Sequence, residues 1–90
     1  MPVDWEKLNS LKLETSSFKV LCYLSFREIA LKPAQISQGT GEKPSTVRAR
    51  LTELKNAGLV VVKQGGYIST LTPYDMLMKF HGEVLKKMKG

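Results

Sequence analysis

Residues 43–71 read KPSTVRARLTELKNAGLVVVKQGGYISTL, and the reading of this stretch decides the fold. Pro44 suits the first position of a helix, where no amide hydrogen is needed and the ring presets φ. Val47, Leu51 and Leu54 follow at i, i+4 and i+7, a single apolar stripe that predicts a helix from Pro44 to about Ala57. Gly58 fits the left-handed residue that ends such a helix, with Leu59 folding back onto it. Residues 59–63 are then a β-branched run, Gln64-Gly65-Gly66 is a turn, and residues 67–71 return. Two short strands around a Gly-Gly tip predict a β-hairpin.

The flanks extend this reading in both directions. Upstream, Phe18, Leu21, Cys22 and Ser25 share one helical face that Val20 and Leu24 widen, and Thr15, Ser16 and Ser17 offer capping oxygens. A loop is expected through Glu28 to Lys32. Pro33 then opens a helix expected to run to Gln38, anchored by Ile36 with Ala34 beside it, and stopped by Gly39-Thr40-Gly41. Trp5, Leu8 and Leu11 predict a short opening helix laid against the body, with Asp4 as its cap. Downstream, Thr72 at the N-cap, Pro73 at N1 and Asp75 at N3 form a capping box. The helix they start has an expected apolar face of Tyr74, Leu77, Phe80 or His81, Val84 and Met88, with Leu85 beside it; Gly82 weakens its middle.

The expected organisation is one α+β domain over residues 1–90. It comprises an arm or short helix at 1–14, a helical core at 15–58 that includes the helix pair 33–57, a hairpin at 59–71 and a C-terminal helix at 72–89. Ninety residues with 42% hydrophobic and 24% charged side chains are ordinary globular composition. No apolar run approaches the roughly 18 residues of a membrane span. A single cysteine excludes an intrachain disulfide framework and suits a reducing, cytoplasmic setting. Cys22 reads as an inert core thiol.

The net charge of +6 is unevenly spread. Residues 43–63 hold five basic side chains (Lys43, Arg48, Arg50, Lys55, Lys63) against Glu53, for +4. Residues 79–89 add +3, from four lysines against Glu83, whereas residues 1–42 balance five against five. A positive field confined to the second half draws polyanions. Catalytic chemistry finds no footing. No Ser/His/Asp, Cys/His or paired-carboxylate arrangement can be assembled, His81 has no companion ligand for a metal, and the glycine pairs lack the phosphate-loop spacing. Neither an enzyme nor a cofactor is expected.

Three helices followed by a two-stranded hairpin resemble a winged helix-turn-helix domain. The residues that carry the likeness are Lys32 to Gly41, then Ser45-Thr46-Val47, Leu51, Leu54 and Ala57-Gly58-Leu59-Val60, similar to small prokaryotic regulators of the MarR and ArsR type. The resemblance covers residues 15–72. It implies that the helix after Pro44 enters the DNA major groove, that the hairpin wing touches the backbone, and that terminal helices make a homodimer.

With Val47 at zero and 100° per residue, Leu51 falls at about 40° and Leu54 at about 340°, which defines the buried side. Ser45, Arg48, Ala49, Thr52 and Asn56 fall between about 100° and 200°, a small, polar outer face suited to a groove. Arg48 can reach a guanine edge and Ala49 only a thymine methyl. Arg50 and Thr46 lie laterally, and Arg50 is expected to reach a phosphate or the second helix. Lys43, Lys55 and Lys63 are expected on phosphates, with Gln64 near the wing tip. Ser45 and Thr46 serve equally well as first-turn residues whatever the function. The expected role is sequence-specific binding of double-stranded DNA by a homodimeric transcription regulator. A winged-helix module for a protein partner and a non-specific architectural DNA binder are the alternatives.

Overall fold

The computed structural model describes residues 3–89 and carries five helices and one hairpin among them: α1 (Trp5–Ser10), α2 (Ser16–Ser25), α3 (Pro33–Thr40), α4 (Pro44–Asn56), β1 (Val60–Lys63), β2 (Gly66–Ser69) and α5 (Pro73–Lys89). It is an α+β fold built on the contacts of α2 with α3, α4 and the hairpin. Phe18, Val20, Leu21 and Leu24 of α2 meet Ile36 of α3, Val47, Leu51 and Leu54 of α4, and Leu59, Val60 and Met76 in one buried cluster. Leu8 of α1 and Leu11 at its C-cap join the cluster, and α1 is capped by Asp4 (Lys7 N donates to Oδ1, 3.0 Å). The amide of Asp4 also donates to Ala57 O at 2.9 Å, so the opening segment is tied to the end of α4.

Local chemistry sets each boundary. Thr15 Oγ1 accepts from Phe18 N at the start of α2. Gln35 Oε1 accepts from Lys32 N at the start of α3. The α3–α4 turn is held by three hydroxyl contacts: Thr40 Oγ1 donates to Ile36 O (2.7 Å), Glu42 N donates to Thr40 Oγ1 (3.3 Å) and Ser37 Oγ donates to Glu42 O (2.6 Å). Gly41, at φ 78°, makes the left-handed exit from α3. α4 ends on Gly58 at φ 73°, and Leu59 N donates back to Leu54 O, the wide closing bond of a glycine-ended helix. The capping box of α5 is formed as its sequence predicts: Thr72 N donates to Asp75 Oδ2 and Asp75 N to Thr72 Oγ1.

Several expectations need correction. α3 continues through Gly39 and Thr40 instead of stopping at Gln38, because a glycine inside a helix lowers its stability without breaking it. A Cβ at Gly39 would collide with the Tyr23 ring, so the glycine lets α2 and α3 close up. The hairpin turn is Gln64-Gly65, both at positive φ (51° and 79°), a two-residue loop of the type that matches strand twist. Gly66 is the first residue of β2, paired with Lys63. It is glycine for a different reason: an added Cβ would lie 3.0 Å from the backbone of Leu31. Leu31, expected in a loop, exchanges two backbone hydrogen bonds with Tyr67 and so adds a one-residue third strand to the hairpin. Trp5 is exposed, so only Leu8 and Leu11 of its predicted triad reach the core.

The apolar residues of α5 lie on two faces. Its inner face is Met76, fully buried, with Phe80 packed edge-on against Phe18 (centroids 5.4 Å apart) and Lys79 with its side chain 5% exposed. Tyr74, Leu77, Val84, Leu85 and Met88, expected on one apolar stripe with Phe80 or His81, all lie exposed, and Phe80 alone of that set packs inward. No helix among the described residues is long and apolar enough to cross a membrane.

Candidate nucleic-acid interface

α4 carries its apolar stripe inward and most of its polar side chains outward. Val47, Leu51 and Leu54 are buried, and Ser45, Arg48, Ala49, Thr52, Lys55 and Asn56 are exposed. The period of the sequence thus separates the two faces as it predicts, because one wide stripe has only one core to meet. Lys43 stands exposed at the N-cap of α4, and Lys63 and Gln64 are exposed at the hairpin tip. Thr46 is half-buried. The Thr52 hydroxyl donates to Arg48 O at 3.1 Å, which leaves its oxygen facing outward as an acceptor.

The electrostatics of this face depend on which charges are already paired. Two acids lie within or beside the basic stretch, Glu42 and Glu53. Lys19 crosses from α2 to Glu42 (3.4 Å), and Arg50 pairs with Glu53 one turn along α4 (3.1 Å). Such exposed pairs add little stability, but they cancel both negative charges locally. Lys43, Arg48, Lys55 and Lys63 join no ion pair among the described residues and hold their charge toward solvent. Arg50, expected on a phosphate or the second helix, pairs with Glu53 in this structure, and its Nε is buried without a hydrogen-bond partner. The sequence named these residues but not the cancellation. Lys19 and Glu42 are 23 positions apart, and only the packing of α2 beside the α3–α4 turn brings them together.

No group of three or more His, Cys, Asp or Glu side chains gathers as a metal site among the described residues. A groove of about 510 Å³ lies between α2, the end of α3 and α5, lined by Phe18, Cys22, Tyr23 and Phe80. Cys22 is a wall of this groove, half-buried, and not the core thiol its position on α2 suggests; burial pushes its thiol pKa up. A thiol held protonated in this way is a weak nucleophile. Set against protein-family models, curated proteins and solved structures, the chain matches none.

Proposed function

We propose that this chain is a winged helix-turn-helix protein that binds double-stranded DNA, with α4 in the major groove and the β1–β2 hairpin as a wing on the backbone. The observation that carries the reading is the set of four unpaired cations, Lys43, Arg48, Lys55 and Lys63, on α4 and the wing, where both neighbouring acids are neutralised. Lysines at the N-cap of α4, on its last turn and at the hairpin tip suit phosphates on either side of a groove. Ser45, Ala49, Thr52 and Asn56 present small polar or methyl surface that lets the helix approach base edges, and Arg48 reads a guanine. Thr46 is placed to meet the backbone, and Gln64 extends the wing contact.

Acting as a homodimer on two half-sites, such a protein is a transcription regulator of the cytoplasm. The test is a salt series of fluorescence-anisotropy titrations on a selected site and on random duplex. A site bound about a thousandfold tighter than random DNA supports specific regulation. Uniform binding that collapses with salt indicates an architectural binder instead, and no binding near physiological salt overturns the proposal. Arg48→Ala is expected to weaken the selected site more than random DNA. Lys63→Ala is expected to weaken both equally.

A further inference from the structure

Glu42 is held in the α3–α4 turn by main chain and side chain alike. Its N–H donates to Thr40 Oγ1 (3.3 Å), its carbonyl accepts from Ser37 Oγ (2.6 Å), and its carboxylate meets the ammonium of Lys19 (3.4 Å). Both main-chain bonds come from α3, so the root of this side chain is fixed beside the start of α4. Lys43, the next residue, stands exposed at the N-cap of α4 and is the first of the cations assigned to a phosphate. Neighbouring Cα atoms are about 3.8 Å apart, well within the roughly 10 Å over which charges act in about 0.1 M salt. A bare carboxylate at Glu42 would repel the phosphate that Lys43 is placed to meet and compete for the Lys43 ammonium.

We propose that Lys19 is a positioning residue of the DNA site: from α2, and without touching DNA, it holds the Glu42 carboxylate and so keeps Lys43 free for the phosphate backbone. The inference rests on the DNA reading above and adds to it a residue outside α4 and the wing. Three observations carry it. First, among the described residues Glu42 pairs with Lys19, 23 positions away, and not with the adjacent Lys43. Second, Lys19 projects from a firmly seated helix. Its neighbours Phe18, Val20 and Leu21 are buried in the cluster that α2 shares with α3 and α4, so the core itself sets where this cation stands. Third, stability does not account for the pair. The Lys19 side chain is half exposed, and exposed ion pairs contribute little to folding. The second acid of this face, Glu53, is met from within α4 by Arg50, one turn away. Glu42 is thus the carboxylate whose neutralisation depends on a different element of the fold.

Loss of Lys19 removes no phosphate contact in this arrangement; it uncovers one negative charge beside Lys43. At separations of a few ångströms to one Debye length, in a solvated setting, one such charge weakens binding by about threefold to tenfold. The loss falls on every duplex alike, because phosphates carry no sequence information. Lys19 therefore sets how tightly the face binds DNA and leaves the choice of sequence to the outer side of α4.

The test is a double-mutant cycle read by fluorescence anisotropy on random duplex in about 0.1 M salt. Lys19→Met keeps the apolar stem and drops the charge, and is expected to weaken binding about threefold to tenfold. Lys19→Arg is expected to bind as the wild type does. Glu42→Gln is expected to bind at least as tightly as the wild type, and in that background Lys19→Met is expected to change nothing further. The Tm of Lys19→Met is expected to stay within about 4 °C of the wild type, since the pair adds little stability. An equal loss from Lys19→Met with and without Glu42→Gln would mean that Lys19 meets a phosphate itself or supports the fold, and overturns the proposal. A Lys19→Met chain that binds as tightly as the wild type overturns it as well. Lys63→Ala separates this inference from the DNA reading, because it is expected to weaken binding equally in all four chains of the cycle. An uncoupled cycle beside an effective Lys63→Ala sinks the role of Lys19 and leaves the DNA reading standing, whereas a wild-type chain that binds no DNA overturns both.

Discussion

α4 and α5 begin alike, each with Pro at its first position, yet they use their outer faces in opposite ways. α4 buries Val47, Leu51 and Leu54 and turns hydroxyls, a methyl and two cations outward. α5 buries Met76 and half of Phe80 and turns Tyr74, Leu77, Met78, Val84, Leu85 and Met88 outward. The outer face of α4 is suited to a hydrated, charged polymer, and that of α5 to another apolar surface. In a domain this small the core has room for only part of the apolar surface the chain carries. An amphipathic pattern therefore says that a helix has a partner, not that the partner belongs to its own chain.

The contrast can be broken most directly by truncating one leucine from each helix. Leu54→Ala removes a fully buried side chain and is expected to cost roughly 2–5 kcal/mol. In a chain of 90 residues that lowers Tm by tens of degrees or abolishes folding. Leu77→Ala, on the exposed side of α5, is expected to change monomer stability by less than about 0.5 kcal/mol. Equal losses in thermal unfolding would mean that the two faces are not different in kind.

A second comparison sets the cations of the two helices against each other. Lys55→Ala on α4 is expected to reduce the slope of log affinity against log salt by about 0.9, the share of one phosphate contact. Lys86→Ala on α5, whose ammonium sits 3.8 Å from Glu83, is expected to leave that slope unchanged. Matching slopes for the two variants in anisotropy titrations would place DNA along α5 as well.

Two smaller effects sharpen the picture of α5. Thr72→Ala removes the hydroxyl that accepts from Asp75 N and is expected to cost about 1 kcal/mol, read as a lower Tm. Gly82→Ala should act in the other direction. Its added methyl meets nothing within 4 Å, and alanine is the better helix former by about 1 kcal/mol. A raised Tm and a stiffer outer stripe are expected; a lowered Tm would mean that something packs closely there.

Much of this architecture was legible in the sequence because its signals are local. Pro33, Pro44 and Pro73 each open a helix where the ring needs no hydrogen-bond partner, and Gly58 ends one where φ turns positive. The Thr72–Asp75 box and the inward stripe of α4 also depend on neighbours within one or two turns. The errors arose where the deciding partner is distant in sequence. Gly66 looked like half of a turn and is in fact the close approach of β2 to Leu31, 35 positions earlier in the chain. Gly39 looked like a helix stop and is the gap that admits the Tyr23 ring.

The candidate site divides in the same way. The outward position of Ser45, Arg48, Ala49, Thr52 and Lys55 follows from 3.6 residues per turn and one apolar stripe. Which cations stay free does not follow from it, because Lys19 must travel through the fold to reach Glu42. The sequence by itself determined the order of elements, their ends and the two faces of α4, since backbone geometry and capping act over a few residues. Only the tertiary structure decided which apolar face of α5 is spent on the core and which charges are cancelled, since both depend on space and distance between segments that the chain order does not encode.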